Sequence, residues 1–306
     1  MAQSSDSAQP VRVVSCAEQM DFTFADLTPR PPEVRVLMAD PSHFDILYVI
    51  NTHMAGNVGS VDKNRARQQW QQVRDAYASL GYPIELISGV PGLPDLVFMA
   101  NQSFPGQLPD GRWAAFLSYM HAVERRPEVD VVAAWYHNRG ALTFQLSDPE
   151  LPFEGMGDVA WVPNRRAIIG GHGFRTDPAV YPELAKQFDV PTLILQLVDE
   201  RFYHLDTCLQ LIDEQTALFV PCAFDETGID LLERAFPRLI AVPEDEAAEL
   251  LACNGHCPDG KHFIVQRGAT KTLRTVQALG LTPIEVETGE FVKSGGSVFC
   301  MKLMVP

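Results

Sequence analysis

The residues best suited to chemistry lie far apart in the chain. Near its end, Lys293-Ser-Gly-Gly-Ser-Val-Phe-Cys-Met-Lys-Leu303 runs a Ser-Gly-Gly-Ser turn into an apolar stretch that contains Cys300. Gly295 and Gly296 have no Cβ, so backbone there can approach a ligand closely, and N–H groups in such a turn can also hold an anion. A thiol on the floor of that turn is a candidate nucleophile. The competing reading is a cysteine packed as a small hydrophobe in a terminal strand. A lone nucleophilic Cys needs a proton-transfer partner and groups that fix the substrate, supplied from elsewhere in the chain.

Three other stretches offer such partners. His204 and Asp206 in Tyr203-His-Leu-Asp206 stand at i and i+2, which on a strand puts both on one face. A His there can shuttle protons while the Asp holds a cation; a satisfied surface pair is the plainer alternative. Glu154 and Asp158 flank the glycines of Phe153-Glu-Gly-Met-Gly-Asp158, a bend that either aims carboxylates into a cleft or makes a solvated acidic turn. Arg175, after Gly171-His-Gly-Phe174, suits a two-pronged grip on a carboxylate or a structural role at the approach to a helix.

The elements that must position these residues read as alternating strands and helices. Short strands are expected at 34–38, 83–87, 95–101, 113–120, 167–171, 192–197, 203–211, 217–220, 238–242, 262–265 and 284–286, with an apolar segment at 44–51. Helices are expected at 61–80, where Ala66, Trp70, Val73 and Tyr77 share a stripe closed by Gly81, and at 179–188, 228–236, 244–252 and 268–279. Residues 121–150 should hold a short helix and a strand. Residues 1–30 read as a polar tail or loosely docked arm, and 31–306 as a single domain.

Two distant segments echo each other. Leu80-Gly-Tyr-Pro-Ile-Glu-Leu86 and Leu279-Gly-Leu-Thr-Pro-Ile-Glu-Val286 each follow a helix, and Gly81 precedes Asn101 by the same twenty residues that separate Gly280 from Cys300. Repetition of this kind suggests a ring of similar modules, each delivering a residue to a shared centre.

Composition narrows the function classes. With 306 residues, 46% hydrophobic and 21% charged, the chain reads as a soluble globular protein. Its net charge of −15 argues against a nucleic-acid partner. No apolar run reaches membrane-spanning length and the first ten residues lack a secretory pattern, so no membrane partner and a cytoplasmic setting are expected. Six scattered cysteines do not make a disulfide scaffold. Cys253-Asn-Gly-His-Cys257 lacks a second ligand cluster at zinc spacing and reads as a helix end, so no metal is expected. Gly170-Gly-His-Gly173 has the wrong spacing for a dinucleotide loop. Asn101-Gln-Ser103 matches a glycosylation sequon and is read as coincidence.

Taken in order, Pro94-Asp-Leu-Val-Phe-Met-Ala-Asn101, Phe153-Glu-Gly-Met-Gly-Asp158, Gly173-Phe-Arg-Thr176, Tyr203-His-Leu-Asp-Thr207 and Ser294-Gly-Gly-Ser-Val-Phe-Cys300 resemble the guanidino-group-modifying (amidinotransferase, or pentein) superfamily over roughly residues 35–303. That superfamily includes arginine deiminases, dimethylarginine hydrolases, arginine dihydrolases and amidinotransferases. The resemblance implies an α/β fold, a five-bladed α/β-propeller of ββαβ modules around a central site. It implies Cys300 as nucleophile, His204 as general acid/base and Glu154 as catalytic glutamate. Asp206 would bind the guanidinium and Arg175 the substrate carboxylate; Asp158, Gly295, Gly296, Asn51 and Asn101 are taken as further substrate-binding residues. The implied reaction is hydrolysis of a guanidino C–N bond through a covalent thiouronium, with no cofactor. The partner is a small guanidino compound, and a homo-oligomer is left open.

Two departures bear on the substrate. Deiminases and dimethylarginine hydrolases usually carry an acid where this chain has Asn101; Asn101 together with Asn51 resembles the arginine dihydrolase branch. An amide can donate to the oxygen of a ureido intermediate, which an ionised carboxylate cannot. Where relatives carry an arginine for the substrate head, this chain has Met120, followed by Arg125 and Arg126. Either one of these replaces it, or the substrate lacks an ordinary amino-acid head. Amidino transfer, a dimethylarginine-type hydrolysis of a modified guanidine, and non-catalytic binding of a guanidino compound are the alternatives.

Overall fold

A computed structural model of the chain describes residues 12–306. Among the described residues, five small sheets carry an α/β fold. In one, Leu303–Val305 pairs antiparallel with Arg35–Ala39, which runs parallel to Ile84–Ile87. The next joins Ser103–Gln107 antiparallel to Trp113–Leu117, and that strand parallel to Leu142–Phe144. Val159–Trp161, Ile168–His172 and Thr192–Gln196 repeat the pattern, with Val13–Val14 added at the far edge. Leu209–Leu211, Thr216–Phe219 and Arg238–Ala241 repeat it again. Finally His262–Gln266 runs parallel to Thr282–Val286, and a bridge from His256 to Ile264 stands in for the antiparallel strand.

A parallel pair needs a long crossover, and in every sheet the crossover contains a helix: Lys63–Ser79, Arg126–His137, Tyr181–Phe188, Glu226–Ala235 and Thr270–Ala278. Local chemistry fixes their ends. The Asp62 side chain accepts from the N–H groups of Asn64 and Arg65 and so caps the first helix. Its expected stripe of Ala66, Trp70, Val73 and Tyr77 is buried. Gly81 and Gly280 follow their helices at φ +88° and +83°, a conformation that favours glycine. The two echoing segments therefore occupy equivalent places in two sheets.

Several expectations are corrected. The expected strand at 203–211 begins only at Leu209. The Thr207 N–H and hydroxyl both return to the His204 carbonyl, at 3.1 and 2.7 Å, and close a 3-10 turn over Leu205–Thr207. His204 and Asp206 consequently do not share a strand face. The stretch 95–101 is likewise not a strand: Pro94–Val97 is a 3-10 turn, and pairing starts at Ser103. Val298 to Met301 forms a turn in which the Met301 N–H bonds the Ser297 carbonyl, so Cys300 precedes the terminal strand rather than lying in it.

The N-terminal segment also differs from expectation within the described residues. Residues 12–30 are docked, not loose: Val13–Val14 extends a sheet, and Met20, Phe24 and Leu27 are buried. Alternation of small polar with single apolar residues hid those anchors. The rest of the expected arm, 1–11, lies outside the described residues. Among the described residues no helix is long and apolar enough to cross a membrane.

Candidate active site

Each passage from one sheet to the next delivers polar residues to a common centre. Asn101 lies between the sheet of Ile84–Ile87 and that of Ser103–Gln107, and Glu154 just before Val159–Trp161. His204 and Asp206 precede Leu209–Leu211, Asn254 precedes His262–Gln266, and Cys300 precedes Leu303–Val305. Backbone bonds tie the passages together. The Ala100 N–H bonds the Cys300 carbonyl at 3.2 Å, and the Met156 N–H bonds the Ala100 carbonyl at 2.7 Å.

Cys300 is held between two of these arrivals. Its thiol donates to Asp206 Oδ2 at 3.0 Å and accepts from Asn254 Nδ2 at 3.2 Å. Asn254 Oδ1 takes the backbone N–H groups of Ser297 and Cys300, and Nδ2 also reaches the Asp206 carbonyl at 2.9 Å. Asn254 was missed in the sequence, where Cys253–Cys257 reads as a helix end. The repeat was the available signal, because a ring of similar modules calls for a contribution from this passage too.

Burial dominates the electrostatics of this pair. It pushes the Asp206 carboxyl up to about 7, against the hydrogen bond from Cys300 that favours the carboxylate. Burial and the neighbouring Asp206 both push the thiol up. The second Asp206 oxygen, Oδ1, is buried without a partner. A cation arriving there would satisfy that oxygen and favour the ionised forms of both groups.

Glu154 and His204 form a second cluster. His204 Nε2 lies 2.7 Å from Glu154 Oε2, and its Nδ1 is buried without a partner. Glu154 Oε1 accepts the His121 N–H at 3.0 Å, and Arg175 lies 3.3 Å away. Burial opposes a charge on Glu154, yet Arg175, His204 and Arg125 together hold its carboxyl well below the usual carboxylate range. Glu154 is thus a fixed anion that orients the imidazole. The backbone of Gly157 runs against this cluster: a Cβ there would meet Asn101 Nδ2 at 2.4 Å and the His204 ring at 3.2 Å.

A narrow, tight cavity opens onto Cys300, with Asn51, Asn101, Asp95, Arg125, Arg175 and Gly296 among its walls. Asn101 Oδ1 accepts from Arg125 at 3.0 Å, which leaves its Nδ2 unpartnered. Asn51 donates to the Ser294 carbonyl at 3.0 Å and pins the glycine turn. Gly295 sits at φ +87°, and a Cβ on Gly296 would strike the Phe98 ring at 2.3 Å. Arg175 lies over the Tyr203 ring at 4.8 Å and donates to the Ile50 carbonyl.

The structure separates the remaining candidates. Asp158 lies beneath the site, where its two oxygens accept from the Thr176 hydroxyl at 2.7 Å and the Leu205 N–H at 3.0 Å; burial pushes it up to about 6. It props the His204 turn and does not line the cavity. Met120 is fully buried. Arg125 does not act as a free head-group clamp, because Glu128, Asn101 and the Asp95 carbonyl engage its guanidinium. Arg126 stacks on Tyr119 at 4.1 Å. A second, roomier cavity touches Asp206 and Gly157 but not Cys300.

No family model matches the chain. It is 34% identical over 278 residues to the bifunctional arginine dihydrolase/ornithine cyclodeaminase AgrE of Nostoc sp., covering 89% of this chain and 38% of that protein. The chain therefore spans well under half of that relative. It is 32% identical over 275 residues to the N(G),N(G)-dimethylarginine dimethylaminohydrolase of Mycobacterium tuberculosis, covering 90% of this chain and 87% of that one. Among solved structures, the N-terminal domain of ArgZ covalently bound to a reaction intermediate superposes with a TM-score of 0.83 at 32% identity, over 90% of this chain and 98% of that one.

Proposed function

Because the chain belongs to the guanidino-hydrolase family that includes the dimethylarginine dimethylaminohydrolase of Mycobacterium tuberculosis, we propose that it is a cysteine-dependent hydrolase of the guanidino C–N bond, with arginine as substrate and two rounds of hydrolysis. The observation that carries this reading is Cys300 Sγ at 3.0 Å from Asp206 on a cavity that also presents the free amide N–H of Asn101.

A guanidinium that reaches Cys300 through the cavity comes up to Asp206, which stands behind the thiol with Oδ1 unpartnered, and brings the positive charge that favours loss of the Cys300 proton. The thiolate attacks the guanidinium carbon to give a tetrahedral adduct. His204, oriented by Glu154, protonates one terminal nitrogen, which leaves as ammonia, and a thiouronium remains on Cys300. His204 then takes a proton from water as its oxygen attacks the same carbon. Cys300 departs, and a ureido group is left.

The second round begins from a neutral group whose new oxygen needs a donor. Asn101 Nδ2 is that donor, held in place because Arg125 occupies Oδ1. A second attack by Cys300 expels another ammonia, and hydrolysis leaves a carbamate that releases carbon dioxide and ornithine. Arg175 is the cation available for the substrate head once it exchanges the Ile50 carbonyl for a carboxylate.

The shared strand order of the sheets supports a five-bladed α/β-propeller of ββαβ modules, with 31–306 as one catalytic domain. The proposed setting is cytoplasmic. The test of function is incubation with a panel of guanidino compounds while ammonia, citrulline, ornithine, urea and dimethylamine are followed by mass spectrometry. Arginine should yield ornithine and ammonia; no turnover of any member would overturn the reading.

A further inference from the structure

The proposed chemistry leaves one buried charge next to the nucleophile unused. Lys302 follows Cys300 by two residues, its side chain is fully buried, and its Nζ has no hydrogen-bond partner. The ammonium rests against the ring of Phe299, 3.4 Å from its centroid. An ammonium taken from water and left unpaired is strongly unfavourable unless negative charge faces it. The titratable groups that act on it are Asp206 on the Leu205–Thr207 turn and Cys300 on its own turn. The third neighbour, His256, sits edge-on to Phe299 at 5.4 Å, and burial together with the Lys302 charge pulls it well below its ordinary value. It is therefore neutral and offers no counter-charge.

We propose that Lys302 is a positioning residue: its ammonium is the resident counter-charge that lets Asp206 and Cys300 be ionised together once a guanidinium is bound. The charges then balance, with a thiolate and a carboxylate against the substrate cation and Lys302. Without Lys302 the loaded centre would hold one uncompensated negative charge in a buried place. Burial disfavours the charge on both Lys302 and Asp206, and each one's charge works against that burial in favour of the ionised form of the other. Removing the ammonium should move both acids further up.

The inference rests on Cys300 being the nucleophile, and its test does not need turnover. The rate of alkylation by iodoacetamide is followed against pH on the Cys300 peptide by mass spectrometry, in wild type, Lys302→Met and Lys302→Arg. In Lys302→Met the midpoint should rise by about one unit or more, a roughly tenfold slower reaction near neutrality that recovers in alkali; Lys302→Arg should stay near wild type. An unmoved midpoint in Lys302→Met, or an equal shift in both variants, would overturn the proposal. Should Lys302→Met not fold, Asp206→Asn is compared with Asp206→Asn/Lys302→Met by thermal unfolding. The double variant loses the stranded ammonium and should melt higher than Asp206→Asn; a lower melting point would overturn the proposal.

Discussion

Asn254 grips Cys300 at both ends of its own amide: Nδ2 lies 3.2 Å from the sulfur, and Oδ1 accepts the Cys300 backbone N–H at 3.3 Å. The same oxygen takes the Ser297 N–H at 3.0 Å. One side chain thus fixes both the turn that carries the thiol and the direction in which the thiol points.

Asn254→Ala should therefore lower stability and activity together. It strands two buried N–H groups, each costing about 1–3 kcal/mol, and frees the sulfur from its register with Asp206. The melting temperature should drop, and kcat/KM for arginine should fall by about tenfold or more, since about 1.4 kcal/mol corresponds to one decade. Unchanged values of both would remove Asn254 from the site.

Asn101→Asp should separate the two rounds of hydrolysis. The new carboxylate would pair with Arg125 in place of the amide oxygen and would present no donor to the ureido oxygen. Citrulline should accumulate and ornithine should cease to form. Release of ornithine at the wild-type rate would show that the amide has no such role.

Replacing Glu154 by Gln should give a stability loss that depends on pH. The Glu154 carboxyl is held below its ordinary 4.5, so its stabilising contribution is present above that value and is lost as pH falls through the folded-state titration. Removing one member of a buried ionic cluster costs about 3–5 kcal/mol. Denaturant unfolding should show that gap near neutrality and a narrowing gap below pH 4.5. A gap that stays constant into acid would mean that the Glu154 charge is not what stabilises the cluster.

Gly157→Ala should fold but work poorly. Its Cβ would come within 2.4 Å of Asn101 Nδ2 and 3.2 Å of the His204 ring, so one of them must shift. Overpacking of this kind costs about 1–3 kcal/mol. Calorimetry should find a modest drop in melting temperature, with a larger proportional loss in kcat. Full activity would mean that Asn101 and His204 tolerate displacement.

Much of this arrangement was legible from residue types and order. The helix with Ala66, Trp70, Val73 and Tyr77 on one face announces itself by period, and the echo around Gly81 and Gly280 reflects two equivalent crossovers. What failed were the segments that carry the side chains inward. Tyr203–Cys208, Asp95–Asn101 and Val298–Met301 have the alternating or apolar character of strands, yet hydrogen bonds between their own close neighbours curl them into turns. Such turns are decided by which carbonyl is free at the centre of the fold, and no periodicity reports that. Asn254 was obscured for a related reason: its neighbours Cys253, His256 and Cys257 suggest a metal site or a helix end, whereas its amide serves a turn more than forty residues away. Residues 12–30 looked detached because a few anchors, Val14, Phe24 and Leu27, do the packing.

The central claim is that Cys300 becomes covalently bonded to the guanidino carbon. It is tested most directly by mixing the protein with arginine, quenching in acid within milliseconds to seconds, and weighing the Cys300 peptide by mass spectrometry. The account predicts a transient adduct on Cys300 with the mass of arginine less ammonia, rising before product and absent in Cys300→Ser, which should not turn over. Turnover with Cys300 unmodified at every time point, or persisting in Cys300→Ser, would contradict it.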